Sequence, residues 1–160
     1  MGTKARVLAM SAASGKVGHV LVLNDRVVDL GMSAKASKGP TEARTYAMQR
    51  IELLRPDVVV TELLMRTTKK GDKTRSIIEA LTSVANVANV SSMEVARGRS
   101  QANRFEEATD LAQMFPAMRR YLPKVRKPWE SEPKTLIYFE ALSLYVAAFG
   151  QASQAPAKPA

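Results

Sequence analysis

The sequence contains no cysteine and a single histidine, His19. Disulfides and cysteine-based zinc sites are therefore excluded, as is a metal site built from several histidines of one chain. No apolar run approaches the ~20 residues that a membrane helix needs, so we expect no membrane association. The first residues lead into a segment broken by serine and glycine, which predicts a first strand and not a secretion signal. The lack of cysteine favours a cytoplasmic location.

Negative charge is also scarce, because 24 Lys and Arg residues stand against 15 Asp and Glu, a formal net charge of +9. A charge balance of this size bears on partners and not on fold. Nucleic acid is the polyanion that such a surface most often meets. With 160 residues, 46% of them hydrophobic, the chain suits one domain with one core. We expect this domain over residues 1–150 and a disordered, low-complexity tail over 151–160.

Short apolar runs predict the strands of a sheet. The first three, Arg6–Met10, Val17–Leu23 and Arg26–Met32, are separated by turn signals and predict an antiparallel meander. The β-branched run Val58–Thr61 is typical of a central buried strand, and Val90–Ala96 predicts a fifth strand. Amphipathic helices lie between and after these last strands. We therefore predict an α/β fold, with a mixed five-stranded sheet and helices on both faces.

His19 lies within the second predicted strand, where a hydrogen-bonded structural role is favoured over a catalytic one.

Two glutamates stand among apolar residues. Glu62 follows the run Val58–Thr61, and Glu140 lies between Leu136 and Leu144 in a predicted last helix over Glu132–Phe149. A carboxylate is costly to bury without a partner, and ligands of α/β sheets bind beyond the carboxyl ends of strands. Either residue alone is better explained by a solvated strand end or helix edge. Together they favour a site at which Mg²⁺ or Mn²⁺ joins them and activates water against a phosphodiester.

Positive side chains cluster in three segments. The first, a predicted flexible loop over Arg66–Arg75, directly follows Glu62 and could hold phosphates. The second contains Arg97, Arg99 and Arg104. The third, Arg119–Lys127, lies beside Trp129, which could stack on a base but is more simply explained by packing in its own domain. No sequence-reading motif is present, so recognition of backbone or shape is expected. The candidate nucleic-acid-binding residues are Lys16, Arg66, Lys69, Lys70, Lys73, Arg75, Arg97 and Arg99.

Three segments of the chain resemble RuvC-type Holliday junction resolvases. Arg55–Glu62 (RPDVVVTE), followed by a basic loop and an amphipathic helix, is similar to the segment around the second acid of these enzymes. Val7–Gly18 (VLAMSAASGKVG) resembles their first strand and turn, and Phe139–Leu144 (FEALSL) resembles their final helix. The resemblance extends from Arg6 to Phe149. It implies a ribonuclease-H-like fold, cleavage of branched DNA by two divalent ions held by four acids, and a homodimer.

Two of the four ligand positions depart from the family pattern, and Ala13 stands where the family has a glycine. The aspartate of the first strand is replaced by Ser11, and the first acid of the last helix falls at Ile137. A serine hydroxyl is neutral and a much poorer ligand for Mg²⁺ than a carboxylate. A substitute acid would have to come from near the start of the last helix. The resemblance implies catalytic and metal-ligating roles for Glu62 and Glu140, and Glu132, with Glu130 as the alternative, could supply the substitute catalytic and metal-ligating acid.

Three functions stay open at this point. The first is a Mg²⁺- or Mn²⁺-dependent endonuclease of the resolvase type. The second is a DNA-binding module that has kept the fold and lost the chemistry. The third is a structural or assembly protein whose positive face meets an acidic partner.

Overall fold

The computed structural model describes residues 5–97, 104–123 and 133–150. In these ranges the strands are β1 (Val7–Ala13), β2 (Lys16–Leu23), β3 (Arg26–Ser33), β4 (Val58–Glu62) and β5 (Ser91–Val95). The α-helices are α1 (Pro40–Leu54), α2 (Asp72–Val87), α3 (Arg104–Met114) and α4 (Leu136–Tyr145). Short 3₁₀ segments lie at Lys35–Lys38 and Pro116–Tyr121, and a π-helical turn, Val146–Gly150, follows α4.

The strands form one sheet in the order β3-β2-β1-β4-β5. The meander β1-β2-β3 is antiparallel, whereas β4 pairs in parallel with both β1 and β5. The predicted mixed five-stranded sheet is therefore confirmed. Because β1 and β4 are parallel neighbours, their carboxyl ends, at Ala13 and Glu62, lie at the same edge of the sheet.

Helices cover both faces of the sheet, as predicted. Leu8 and Met10 of β1 pack with the buried faces of α1 and α2, whereas Val7 and Ala9 pack with α3 and α4. Successive side chains of a strand point to opposite faces, so a strand covered on both sides must be apolar throughout. This accounts for the unbroken apolar run at the start of β1.

Helix α4 is buried almost all round and lies against β1 and β2. Its close approach to β2 depends on Gly18, because a Cβ atom at that position would lie 2.7 Å from Cγ1 of Ile137. A residue of α4 therefore meets protein on nearly every side, and this includes Glu140. Within the described ranges, no helix is both long and apolar enough to cross a membrane.

The structure corrects the limits of several predicted elements. Strand β1 continues to Ala13, whereas the sequence placed a turn from Ser11 onward. The small residues at its end form a strand because they pair with β2 and are covered on both faces, which outweighs their weak local preference. The turn itself occupies residues 14 and 15, and Gly15 adopts a φ of 84°, which a glycine tolerates.

The charged loop and the last helix are also shorter than predicted. Helix α2 begins at Asp72, so Lys73 and Arg75 lie in its first turn and not in a loop. An acidic residue at that point interacts favourably with the positive end of the helix dipole. Helix α4 begins at Leu136, after a turn that follows Pro133, which has no N–H to donate inside a helix.

Part of the segment predicted as irregular, from Phe115 to Trp129, is a 3₁₀ helix over Pro116–Tyr121. Trp129 and the predicted tail over 151–160 lie outside the described residues.

His19 has the hydrogen-bonded structural role predicted for it. Its ring is 1% exposed, with Nδ1 2.6 Å from the hydroxyl of Tyr46 and Nε2 2.8 Å from a carboxylate oxygen of Asp29. Burial lowers the pKa of His19, aided by the positive charge of Arg50 and opposed by the carboxylate of Asp29. The ring is therefore neutral in the folded protein at a pH where the unfolded chain would already bind a proton.

We expect this buried histidine to make stability depend on pH. Its pKa in the folded state lies below the ordinary 6.5, so the stability present above that value is lost as the pH falls. Urea unfolding of the wild type should give a lower free energy at about pH 5 than at about pH 7. His19→Gln should reduce this difference, and no other imidazole can obscure it because His19 is the sole histidine. An unchanged pH dependence in the variant would contradict the interpretation.

Candidate functional site

The two glutamates predicted as site residues meet at the carboxyl edge of β1 and β4. Glu62 is the last residue of β4 and is 5% exposed, whereas Glu140 lies in α4 and is 2% exposed. Ser11, one of the two departures from the family pattern, is fully buried in β1 and its hydroxyl donates a 2.7 Å hydrogen bond to Oε2 of Glu140. The sheet topology thus places both acids and the serine in one buried cluster.

The ammonium group of Lys70 lies between the two acids. Its Nζ donates to Oε1 of Glu62 at 2.7 Å, to the backbone carbonyl of Ala12 at 2.8 Å, and to Oε2 of Glu140. An ammonium group has three donors, so these three oxygens use all of them. Lys70 belongs to the segment between β4 and α2, and its side chain is 17% exposed. The sequence predicted it as a phosphate contact, and the structure turns it inward.

A second cation reaches the other oxygen of Glu140. Nη2 of Arg104, the first residue of α3, lies 3.1 Å from Oε1 of Glu140. Burial alone would raise the pKa of Glu140, but the positive charges of Lys70 and Arg97 and the hydrogen bonds from Lys70 and Ser11 hold it below its ordinary value. Glu140 is therefore an ionised carboxylate in the folded protein at neutral pH.

A fourth ion pair, between Arg97 and Glu107, lies beside the acids. Arg97, just after β5, contacts Glu107 of α3 and donates from Nε to the hydroxyl of Ser143 at 3.3 Å. That hydroxyl donates in turn to the backbone carbonyl of Glu140 at 2.6 Å. Burial raises the pKa of Glu107, while the charge of Arg97 opposes the rise. This chain of contacts joins β5, α3 and α4 around the acids.

Sequence reasoning missed Glu107, and it placed Arg104 in a basic cluster without its partner Glu140. A signal for Glu107 was present, because it lies four residues before Leu111 and one before Ala108 on the apolar face of α3. Nothing local identified the partner of Arg104, which is 36 residues away in the chain.

The cluster forms the floor of a cleft of about 600 Å³. Among the residues that the structure describes, four cationic and two acidic side chains line it, an excess of two positive charges in this part of the lining. The other described lining residues are uncharged and come from the β1–β2 turn, the loop before α2, the first turn of α2 and the segment after β5. The charged lining residues are Lys69, Lys70, Arg97, Arg104, Glu62 and Glu140.

The other predicted binding residues lie around this cleft or away from it. Arg66 is exposed in the same loop, and Lys73 is exposed on the first turn of α2. Arg75 donates to the backbone carbonyls of Met65 and Thr68, both at 3.2 Å, so it stabilises the loop. Lys16 is half-buried at the start of β2. Arg99, Glu130 and Glu132 lie outside the described residues.

The described residues of the cluster do not fit a pair of divalent ions. The point at which both carboxylates converge, where a shared ion would lie, is taken by the ammonium of Lys70. Ser11 adds a neutral hydroxyl, and Ile137 is fully buried against Gly18. In the described ranges, no three His, Asp or Glu residues are grouped as a metal site requires. Metal ligation by Glu62, Glu140 and Glu132 stays a prediction.

The sheet order, the helices on both faces and the edge at which the acids meet define a ribonuclease-H-like fold of the kind seen in Holliday junction resolvases. The chain is similar to Thermus thermophilus RuvC, with a TM-score of 0.60, 14% identity, and coverage of 94% of this chain and 95% of that one. It is similar to fowlpox virus resolvase in complex with substrate Holliday junction DNA, with a TM-score of 0.56, 13% identity and coverage of 89% and 98%. The yeast mitochondrial Holliday junction resolvase gives a TM-score of 0.55, 11% identity and coverage of 92% and 78%.

No family model and no curated protein sequence matches the chain. The similarity to the three solved structures confirms the predicted resemblance to RuvC-type resolvases at the level of the fold.

The two acids should differ in their effect on stability. Glu140→Gln leaves Lys70 and Arg104 facing a neutral amide, and we expect a loss of about 3 kcal/mol, as for breaking a buried ion pair. Glu62→Gln removes one charged contact of Lys70 and should cost about 1 to 2 kcal/mol. The exposed Glu79→Gln is the control, with little change expected. Urea unfolding at neutral pH measures all three, and a larger loss for Glu62→Gln would contradict this geometry.

Proposed function

We propose that this protein binds branched DNA with the face that contains the cleft, and does so without cleavage by two metal ions. The observation that supports this most directly is the charge of the cleft, where four cations surround two buried carboxylates. A surface of this sign attracts the phosphate backbone independently of sequence. The fold supports the same proposal, since the similar fowlpox virus resolvase was solved with substrate Holliday junction DNA.

The cations of the cleft fall into two groups with different tasks. Lys70, Arg97 and Arg104 are engaged by carboxylates, so they fix the shape of the cleft. Lys69 is exposed at the rim, as is Arg66 in the same loop, and both can reach a phosphate from there. The affinity for DNA should therefore come from the rim, and the rigidity from the floor.

Two further expectations belong to the same proposal. A homodimer would present two such clefts to the arms of one junction, and a cytoplasmic location would agree with the lack of cysteine. Both rest on the resemblance and on composition.

A Mg²⁺- or Mn²⁺-dependent endonuclease is the second candidate. It is favoured by the convergence of Glu62 and Glu140 on one point, which is the arrangement that two metal ligands require. Glu132 would then have to supply the third acid. A gel assay with labelled four-way junction, duplex and single-stranded DNA, with and without Mn²⁺, separates the candidates.

Tight binding to the junction without cutting would support the proposal. Mn²⁺-dependent cutting that Glu62→Gln abolishes, with binding retained, would establish the endonuclease instead. Weak binding to every DNA at physiological salt would favour an assembly protein with an acidic partner.

The rim lysine allows a quantitative test of the interface. If Lys69 contacts a phosphate, Lys69→Gln should make the dependence of log K on log salt less steep by about 0.9. Arg26→Gln is the matched control, because Arg26 is exposed at the start of β3, at the opposite edge of the sheet. It removes the same charge and should leave the slope unchanged. Fluorescence anisotropy with a labelled junction measures both, and equal slopes for the two variants would place the interface elsewhere.

A further inference from the structure

We propose that Lys70 is a built-in cation that takes the place of a divalent metal ion between Glu62 and Glu140. While Lys70 is present, its ammonium keeps this site closed to metals. When Lys70 is removed, the same oxygens form a metal site. This inference concerns the free protein and goes beyond the proposed binding of DNA.

The surroundings of Lys70 are those of an ion in a binding site. Three oxygens from three separate elements converge on Nζ: the carbonyl of Ala12 in β1, Oε1 of Glu62 in β4 and Oε2 of Glu140 in α4. The hydroxyl of Ser11 lies 2.7 Å from the last of these. Carboxylate, carbonyl and hydroxyl oxygens are the hard ligands that Mg²⁺ and Mn²⁺ prefer. The donor set thus suits a cation, and the chain supplies that cation itself.

The charge of the cluster explains why a cation must be present. Glu62 and Glu140 are 5% and 2% exposed, so water solvates neither charge effectively. Two buried carboxylates that face one point repel each other unless a positive charge lies between them. Arg104 binds Oε1 of Glu140, whereas Lys70 binds Oε2 of Glu140 together with Oε1 of Glu62. Without Lys70, the space between the acids would therefore attract any available divalent ion.

The loop that contains Lys70 is fixed by its own hydrogen bonds. The backbone N–H of Met65 donates to the hydroxyl of Thr68 at 2.9 Å, and the N–H of Thr68 donates to the carbonyl of Met65 at 3.0 Å. Arg75 of α2 donates to the backbone carbonyls of Met65 and Thr68. Because the loop is anchored to α2 in this way, Lys70 acts as a tethered ligand, with an effective concentration of the order of mM or above.

The test compares thermal unfolding of the full chain with and without Mn²⁺, in the absence of DNA. We expect about 5 mM MnCl₂ to leave the melting temperature of the wild type unchanged. Lys70→Ala should melt lower than the wild type without metal, and Mn²⁺ should raise its melting temperature by roughly 5–10 °C, as for an ion at about 100 times its dissociation constant. Lys69→Ala is the matched control, since it removes the neighbouring charge of the same loop and should not respond to Mn²⁺.

The double variant Lys70→Ala, Glu62→Gln locates the effect. It should lose the response to Mn²⁺, because one of the two carboxylates of the site is gone. A response that survives in the double variant would overturn the proposal. So would a Lys70→Ala protein that folds and does not respond, or a wild type that Mn²⁺ stabilises as strongly as the variant.

A measurement on the wild type alone covers the case in which Lys70→Ala does not fold. Electron paramagnetic resonance detects free aqueous Mn²⁺, and we expect its signal to be unchanged by stoichiometric wild-type protein. Loss of the signal in the wild type, restored by Glu62→Gln, would overturn the proposal. Since none of these experiments contains DNA, a failure to bind junctions would leave their outcome unaffected, and the two proposals fail separately.

Discussion

The arrangement of loops and helices at the carboxyl ends of β1 and β4 depends on one constraint, which is that the charges of two buried carboxylates, Glu62 and Glu140, must be neutralised. Taking an ion out of water costs several kcal/mol even after relaxation, and it must be offset by opposite charge and hydrogen bonds. Glu140 cannot turn to solvent, because α4 is covered almost all round. Lys70 must therefore enter from the loop before α2, and Arg104 from the start of α3. The positions of these two elements relative to the sheet follow from the charge they supply.

The fold was predictable where side-chain pattern and tertiary position agree. The β-branched run of β4 is buried on both faces, and the turn between β2 and β3 has positive φ angles at Asn24 and Asp25, residues that tolerate them. The pattern failed at Ser11 and its neighbours, because small residues carry little strand preference of their own. Their strand exists through pairing with β2 and through cover from helices that are distant in sequence.

The site was predictable in its acids and not in its cations. Glu62 and Glu140 stood out because each lies among apolar residues, and a carboxylate is rarely buried unless it has a charged or hydrogen-bonding partner. Lys70 stood in a run of similar cations, where only the path of the loop decides which side chain turns inward. Its ammonium reaches Glu140 across 70 residues of chain, a separation that no local pattern encodes. The sequence thus identified the two acids of the cluster, whereas the pairing of Lys70 and Arg104 with them is visible only in the structure.

The two departures from the resolvase pattern are neighbours in space and agree with the position of Lys70. Ser11 of β1 pairs with Gly18 of β2, and Gly18 is in turn covered by Ile137. An ionised aspartate in place of Ser11 could not donate to Glu140 and would add a third negative charge to the cluster, which one ammonium could not balance. An acid in place of Ile137 would meet the backbone of β2, where an apolar side chain now packs. With serine, isoleucine and lysine at these positions, one monovalent cation bridges the acids and Arg104 completes the balance. The same three residues make the cluster poor for two divalent ions, so the uncharged side chains of Ser11 and Ile137 and the inward turn of Lys70 are parts of one electrostatic arrangement.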